Sequence, residues 1–178
     1  MKHWVEETLS NEAEGFLHQV SQPLVDETTQ SISRVPALHL LVPIGSEQDD
    51  STALFWAAAD LANRLALQVT ILHCREWDLA KGVKYFMETQ EEATSIITSA
   101  TKWFSALNIP VHGVLCDVER GSIGKAIATT SIDYHIDSIL VGLRQKRRLL
   151  PGLMGSTVSQ VERLVDCPVI IIRINKHQ

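Results

Sequence analysis

The sequence has little cysteine, and what it has is dispersed. Cys74, Cys116 and Cys167 stand far apart, without a CxxC pair or a histidine at ligand spacing. This excludes a zinc ribbon and a thioredoxin-type motif, and the three read as small core residues. The seven histidines are equally scattered, without HExxH, so no metal centre is expected. Long apolar runs are missing too. The best candidate, "ALFWAAADLANRLAL", is broken by Asp60 and Arg64 and falls short of the roughly 20 residues that cross a bilayer. The opening "MKHWVEETLSNEAEGF" lacks the apolar stretch and cleavage site of a signal peptide, so a cytoplasmic setting is expected. Nor is there an excess of positive charge. The formal net charge is -5, and neutralising a phosphate backbone needs a large basic surface, so no nucleic-acid partner is expected. The chain contains no GxSxG elbow and no HRD or DFG motif, and no catalytic residue is assigned.

What is present fits one soluble domain with a sizeable core: 178 residues, of which 45% are apolar and 21% charged. From residue 37 short β-branched runs alternate with helical patterns, the signature of βαβ units. "ALHLLVP" (37–43) reads as the first strand. Asp50 or Ser51 then caps the helix "TALFWAAADLANRLA". "LQVTILHC" (67–74) reads as the second strand, and a long connection leads to a helix near residues 85–107. "VHGVLCDV" follows as a third strand, Gly121-Ser122 as the start of a short helix, and "SILVGL" (138–143) as a fourth strand. A helix over about 155–165 and the strand "PVIIIRI" complete the order. Right-handed crossovers make this an α/β fold, a doubly wound parallel sheet of five strands with helices on both faces and ligands at the carboxyl ends of the strands.

Residues 1–36 stand outside the alternation and read as an arm or linker, partly helical or disordered. Asn11 and Glu14 form a candidate capping box there, and Pro23 limits the helix. Residues 37–178 form the domain.

Charge is unevenly spread. Residues 1–36 carry -4, residues 37–142 carry -6 and residues 143–178 carry +5. The positive block lies in "VGLRQKRRLLPGLMGSTVSQVERL". A strand ending in Gly142 and a helix opening at Gly155-Ser156-Thr157 supply close backbone approach, free amide donors and two hydroxyls, the components of an anion site. Arg144, Lys146, Arg147 and Arg148 add charge-assisted donors if they face the crevice; otherwise they form a solvated loop. "GSIGKA" (121–126) lacks the full phosphate-loop pattern and reads as a helix start.

These pieces resemble the universal stress protein family over about residues 37–174. "HLLVPI", "VTILHC", "IDSILVGL" and "GLMGSTVSQVERLVDCPVIIIRI" carry the likeness. The resemblance implies the strand order 3-2-1-4-5 and a loop of the form G-x2-G-x9-G-[ST] holding an adenine nucleotide, ATP or AMP, or a related ligand such as a cyclic dinucleotide. Laid on this chain, that loop begins at Gly142 and ends at Gly155-Ser156, with Arg144 inside it. Gln145 replaces the second glycine. The family's aspartate two residues after the first-strand proline is replaced by Gly45, after Pro43-Ile44, and Cys74 matches a position that packs on adenine. Losing one or two hydrogen bonds at about 1 to 3 kcal/mol each weakens binding by one to a few powers of ten.

The function implied is a non-catalytic regulatory module in stress signalling. The alternative is an interaction domain without nucleotide. Its partner is expected to be a second copy of the chain, paired through Pro168 to Ile174, an apolar edge strand that needs covering. The resemblance also admits attachment to a membrane transporter as its cytosolic regulatory tail, with no insertion of this chain into the bilayer.

Overall fold

The computed structural model describes residues 38–46, 48–144 and 156–174. The first apolar run forms β1 (His39–Ile44), in which Leu40, Leu41 and Val42 are fully buried. Burial on both faces is what a central parallel strand requires. α1 (Gln48–Leu65) returns the chain to β2 (Gln68–Ala80), which pairs with β1 in parallel from His39↔Gln68 to Ile44↔His73. Asp50 and Ser51 lie inside α1, not at its cap.

β2 runs six residues past Cys74, to Ala80, and turns back into β3 (Val83–Phe86), which pairs with it antiparallel from Trp77↔Phe86 to Ala80↔Val83. The turn residues Lys81 and Gly82 both have positive φ, 51° and 77°, the geometry whose twist suits a two-residue hairpin. The long connection expected here is therefore a sixth, antiparallel strand. The helix expected near residue 85 begins instead at Gln90, as α2 (Gln90–Ala106). Its start is fixed by a capping box in which the Thr89 hydroxyl accepts from the Glu92 amide and the Glu92 carboxylate accepts from the Thr89 amide. Cationic side chains hold the hairpin together: the Arg75 guanidinium lies 3.8 Å from the Phe86 ring centroid and the Lys84 ammonium 4.3 Å from that of Trp77.

β4 (Val111–Glu119) pairs in parallel with β2 from Val69↔Val111 to Trp77↔Glu119. α3 (Ile123–Asp133) follows, then β5 (Ser138–Arg144) against β1, α4 (Ser156–Leu164), and β6 (Val169–Ile174) against β5. The parallel strands thus run β4-β2-β1-β5-β6, which is 3-2-1-4-5 when the five are counted alone, as the resemblance implied. The family order holds with β3 added.

Alternation along the strands divides the core in two. Leu40, Val42, Ile44, Val69 and Ile71 pack under α1 and α2, with Phe104 at the centre of that layer. Phe104 is fully buried and its ring meets Trp103 and Phe55 at 4.9 and 5.4 Å. Leu41, Leu72, Ile139 and Val141 face the other way, under α3 and α4 with Ile127, Val158 and Val161. No helix among the described residues is long and apolar enough to cross a membrane.

Candidate functional site at the carboxyl ends of β1 and β5

β1 is flanked by β2 on one edge and β5 on the other. The chain leaves β1 toward α1 on one face of the sheet, while α4, which follows β5, lies on the other. This divergence marks the carboxyl ends of the two strands as the usual ligand position in such sheets. Leu40 pairs with Ser138 and Leu41 with Ile139, and the same offset carried along the strands sets Ile44 beside Gly142. His73 is paired with Ile44, and Gly142 with Ile172, so His73, Ile44, Gly142 and Ile172 form one row across the sheet.

Of the residues singled out from sequence, Pro43 is half-buried in β1, Ile44 is buried at its end, and Gly45 is exposed just after it. Gly142 lies within β5 and Arg144 ends that strand. Ser156 opens α4 and Thr157 is half-buried in its first turn. Gln145, the cations at 146–148 and Gly155 lie outside the described residues, as do Asn11, Glu14 and the rest of residues 1–36. Cys74 is half-buried on the α3 face, with its sulfur 3.4 Å from that of Cys116. His73, beside it in sequence, points to the opposite face.

Gly142 has a packing reason to lack a side chain. A Cβ built there would lie 2.6 Å from Ile174 Cδ1 and 3.9 Å from Leu54 Cδ2, so the last residue of β6 uses the space.

His73 and Glu88 were not found by sequence reasoning, and they are the most distinctive polar feature of this edge. His73 is 2% exposed. Its Nδ1 lies 3.1 Å from the Ile44 carbonyl oxygen and its Nε2 lies 2.7 Å from Glu88 Oε1. Both ring nitrogens thus face oxygen atoms, and each contact needs a proton between its two atoms. The other carboxylate oxygen, Glu88 Oε2, is buried with no hydrogen-bond partner among the described residues, a costly condition for a polar atom. The sequence signals were faint: one histidine inside the apolar run "VTILHC", and a glutamate next to the Thr89 cap.

The hairpin brings Glu88 into place. Alternate residues of a strand aim their amide groups at the same edge. The Gln68 amide donates to Leu38 O on the β1 side. Glu76, of the same parity, accepts from the Met87 amide. β3 therefore lies in line with β1, beyond its carboxyl end. Arg120 donates its amide to Trp77 O on the opposite edge, toward β4. On the exposed part of that edge, Arg75 donates twice to Asp117, each bond 2.8 Å. This fork holds the Asp117 carboxyl below its ordinary range.

A second depression, of about 400 Å3, lies on the other face between the start of α3 and α4, lined by Gly121, Ser122, Lys125, Gln160, Arg163 and Leu164. It places the "GSIGKA" segment at a helix start, as its sequence indicated.

The universal stress protein family model matches residues 37–173. No protein among the curated sequences matches the chain. Solved structures with the same fold include a universal stress protein from Archaeoglobus fulgidus, 17% identical, with a TM-score of 0.60 over 80% of this chain and 98% of that one. A complex of the universal stress protein from Archaeoglobus fulgidus with dAMP is 18% identical, with a TM-score of 0.57 over 76% of this chain and 97% of that one. An Arabidopsis thaliana universal stress protein family protein with AMP bound is 13% identical, with a TM-score of 0.53 over 78% and 93%. With its strand order, its doubly wound layers and a match across most of its length, this chain belongs to the universal stress protein family.

Proposed function

We propose that the domain is a non-catalytic regulatory module that holds an adenine nucleotide, or a related phosphorylated ligand, at the carboxyl edge of β1 and β5. The observation that carries this reading is the buried Glu88 Oε2 beside the end of β1, which has no partner among the described residues. Gly45 removes the carboxylate that the family supplies after the first-strand proline. Glu88, oriented by His73, restores an acceptor in the same neighbourhood from a different segment. An adenine amino group or a ribose hydroxyl is a donor of the right kind. The start of α4 at Ser156 and Thr157 offers amide groups to a phosphate at a positive helix end. The dAMP and AMP held by two relatives of the same fold support this ligand class.

Thermal melting with millimolar AMP, ATP and cyclic nucleotides tests the proposal. A ligand at one hundred times its Kd adds about 2.7 kcal/mol, a rise of several degrees for a domain of this size. No shift and no calorimetric heat with any of them overturns it.

A second reading, an interaction domain that pairs with its own copy, is favoured by β6. That strand bonds to β5 on one edge, and Val169, Ile170, Ile171 and Ile172 are only half-buried. An apolar edge strand of this kind favours association. Light scattering at micromolar concentration is expected to give a dimer mass, and a strictly monomeric mass contradicts the reading.

A further inference from the structure

Cys74 and Cys116 are matched residues on adjacent parallel strands. They sit inside a ladder that runs without a break from Val69 to Trp77, so their backbones are fixed in register. Neighbouring strands lie about 4.7 to 4.9 Å apart, within the Cα separation of about 4.4 to 6.8 Å that a disulfide accepts. Their sulfurs are 3.4 Å apart and both residues are half-buried at the α3 face, so a small oxidant has access. Closing the gap from 3.4 Å to the roughly 2.05 Å of a disulfide requires both side chains to turn.

We propose that Cys74 and Cys116 form a redox-active dithiol that is oxidised by hydroperoxides to an intrachain disulfide between β2 and β4. Cys116 is the attacking thiol. The hydrogen bond between the two sulfurs lowers the Cys116 thiol below its ordinary value, while the same bond, aided by burial, pushes Cys74 up. The Cys116 thiolate attacks the hydroperoxide, the O–O bond breaks, and the leaving oxygen takes a proton to give an alcohol or water. Cys116 becomes a sulfenic acid. Cys74 then attacks that sulfur, its proton leaves with the hydroxide as water, and the S–S bond forms. The two thiols supply the two electrons that reduce the peroxide. A bond on this half-buried face stays open to thiol reductants, which suits it to a reversible signal.

Cys167, in the segment between α4 and β6, is the internal control. The full chain, reduced and freed of reductant, is treated with hydrogen peroxide, then unfolded and alkylated with N-ethylmaleimide, and its intact mass is read. The expected result is a fall from three labels to one, with a peptide map joining the Cys74 and Cys116 peptides and Cys167 alone labelled. In Cys74→Ser the Cys116 sulfenic acid accumulates and is trapped by dimedone. In Cys116→Ser dimedone trapping at Cys74 falls at least tenfold relative to that. Three labels after peroxide, a bridge that includes Cys167, or a bridge between two chains overturns the proposal.

Discussion

Gly142→Ala separates the two reasons for a glycine at the end of β5. The added Cβ lies 2.6 Å from Ile174 Cδ1, whereas carbon atoms rest about 3.5 to 4.0 Å apart, so the methyl must retreat by about 1 Å. Ile174 is 8% exposed and Leu54 4%, which leaves little room. Overpacking a core typically costs about 1 to 3 kcal/mol. The clashing atom ends a side chain that can turn, so the lower part of that range, about 1 to 1.5 kcal/mol, is expected. Ile174→Val removes the clashing methyl and alone costs about 1 kcal/mol. In the double variant the new Cβ meets Ile174 Cγ1 at 3.6 Å and Leu54 Cδ2 at 3.9 Å, both ordinary contacts. The two changes should therefore be less destabilising together than their sum, by about 1 kcal/mol. Urea unfolding followed by tryptophan fluorescence, at unchanged m, measures each term. Strict additivity, or a neutral Gly142→Ala, refutes the packing argument. AMP affinity of the double variant against Ile174→Val then reads the second reason. A tenfold loss with packing relieved assigns the glycine to the ligand as well.

Glu88→Ala leaves His73 Nε2 buried without an acceptor and is expected to lower stability by about 2 kcal/mol, whereas Glu88→Gln, which keeps an acceptor, should cost clearly less; paired urea melts check this. Phe104→Ala empties the centre of the aromatic layer and should cost about 3 to 5 kcal/mol, by the same measurement. Gly82→Ala meets no atom within 4 Å but forces alanine to a φ of 77°, so a loss of about 1 kcal/mol is expected from backbone strain alone. Asp117 titrates below the ordinary aspartate range because Arg75 binds its charged form. Its contribution to stability is present above the ordinary aspartate value and is lost as pH falls through the depressed one. Carbon-detected NMR titration should show that low midpoint, and Arg75→Ala should raise it.

The parallel scaffold was legible because its strands are β-branched runs of ordinary length set between helical periods. "HLLVPI" and "VIIIRI" announce strands in their composition, while the order of the five parallel strands came from the family resemblance. The β2–β3 hairpin was not legible. "REWDLAKGVKYF" carries five charged residues in twelve, and its pairing rests on cation–π contacts and on two positive-φ turn residues that periodicity does not reveal. That omission hid Glu88, since only the hairpin brings it beside His73 and the end of β1. Gly142 was visible as a glycine, but Ile174 fills its space from 32 residues away in sequence, a contact that no local pattern announces. The Cys74–Cys116 contact is of the same kind: each cysteine looks like a small core residue until the register of β2 and β4 matches them.

The central claim is that a nucleotide sits where β1 and β5 end, with Glu88 as an acceptor. Titration of the isotope-labelled protein with AMP, followed by amide chemical shifts, tests it most directly. The account predicts saturable shifts at Ile44, Gly45, His73, Glu88, Gly142 and Thr157, at least tenfold weaker binding in Glu88→Gln, and no such shifts along α2. Shifts confined to the depression between α3 and α4, or an unchanged spectrum at millimolar AMP, would contradict it.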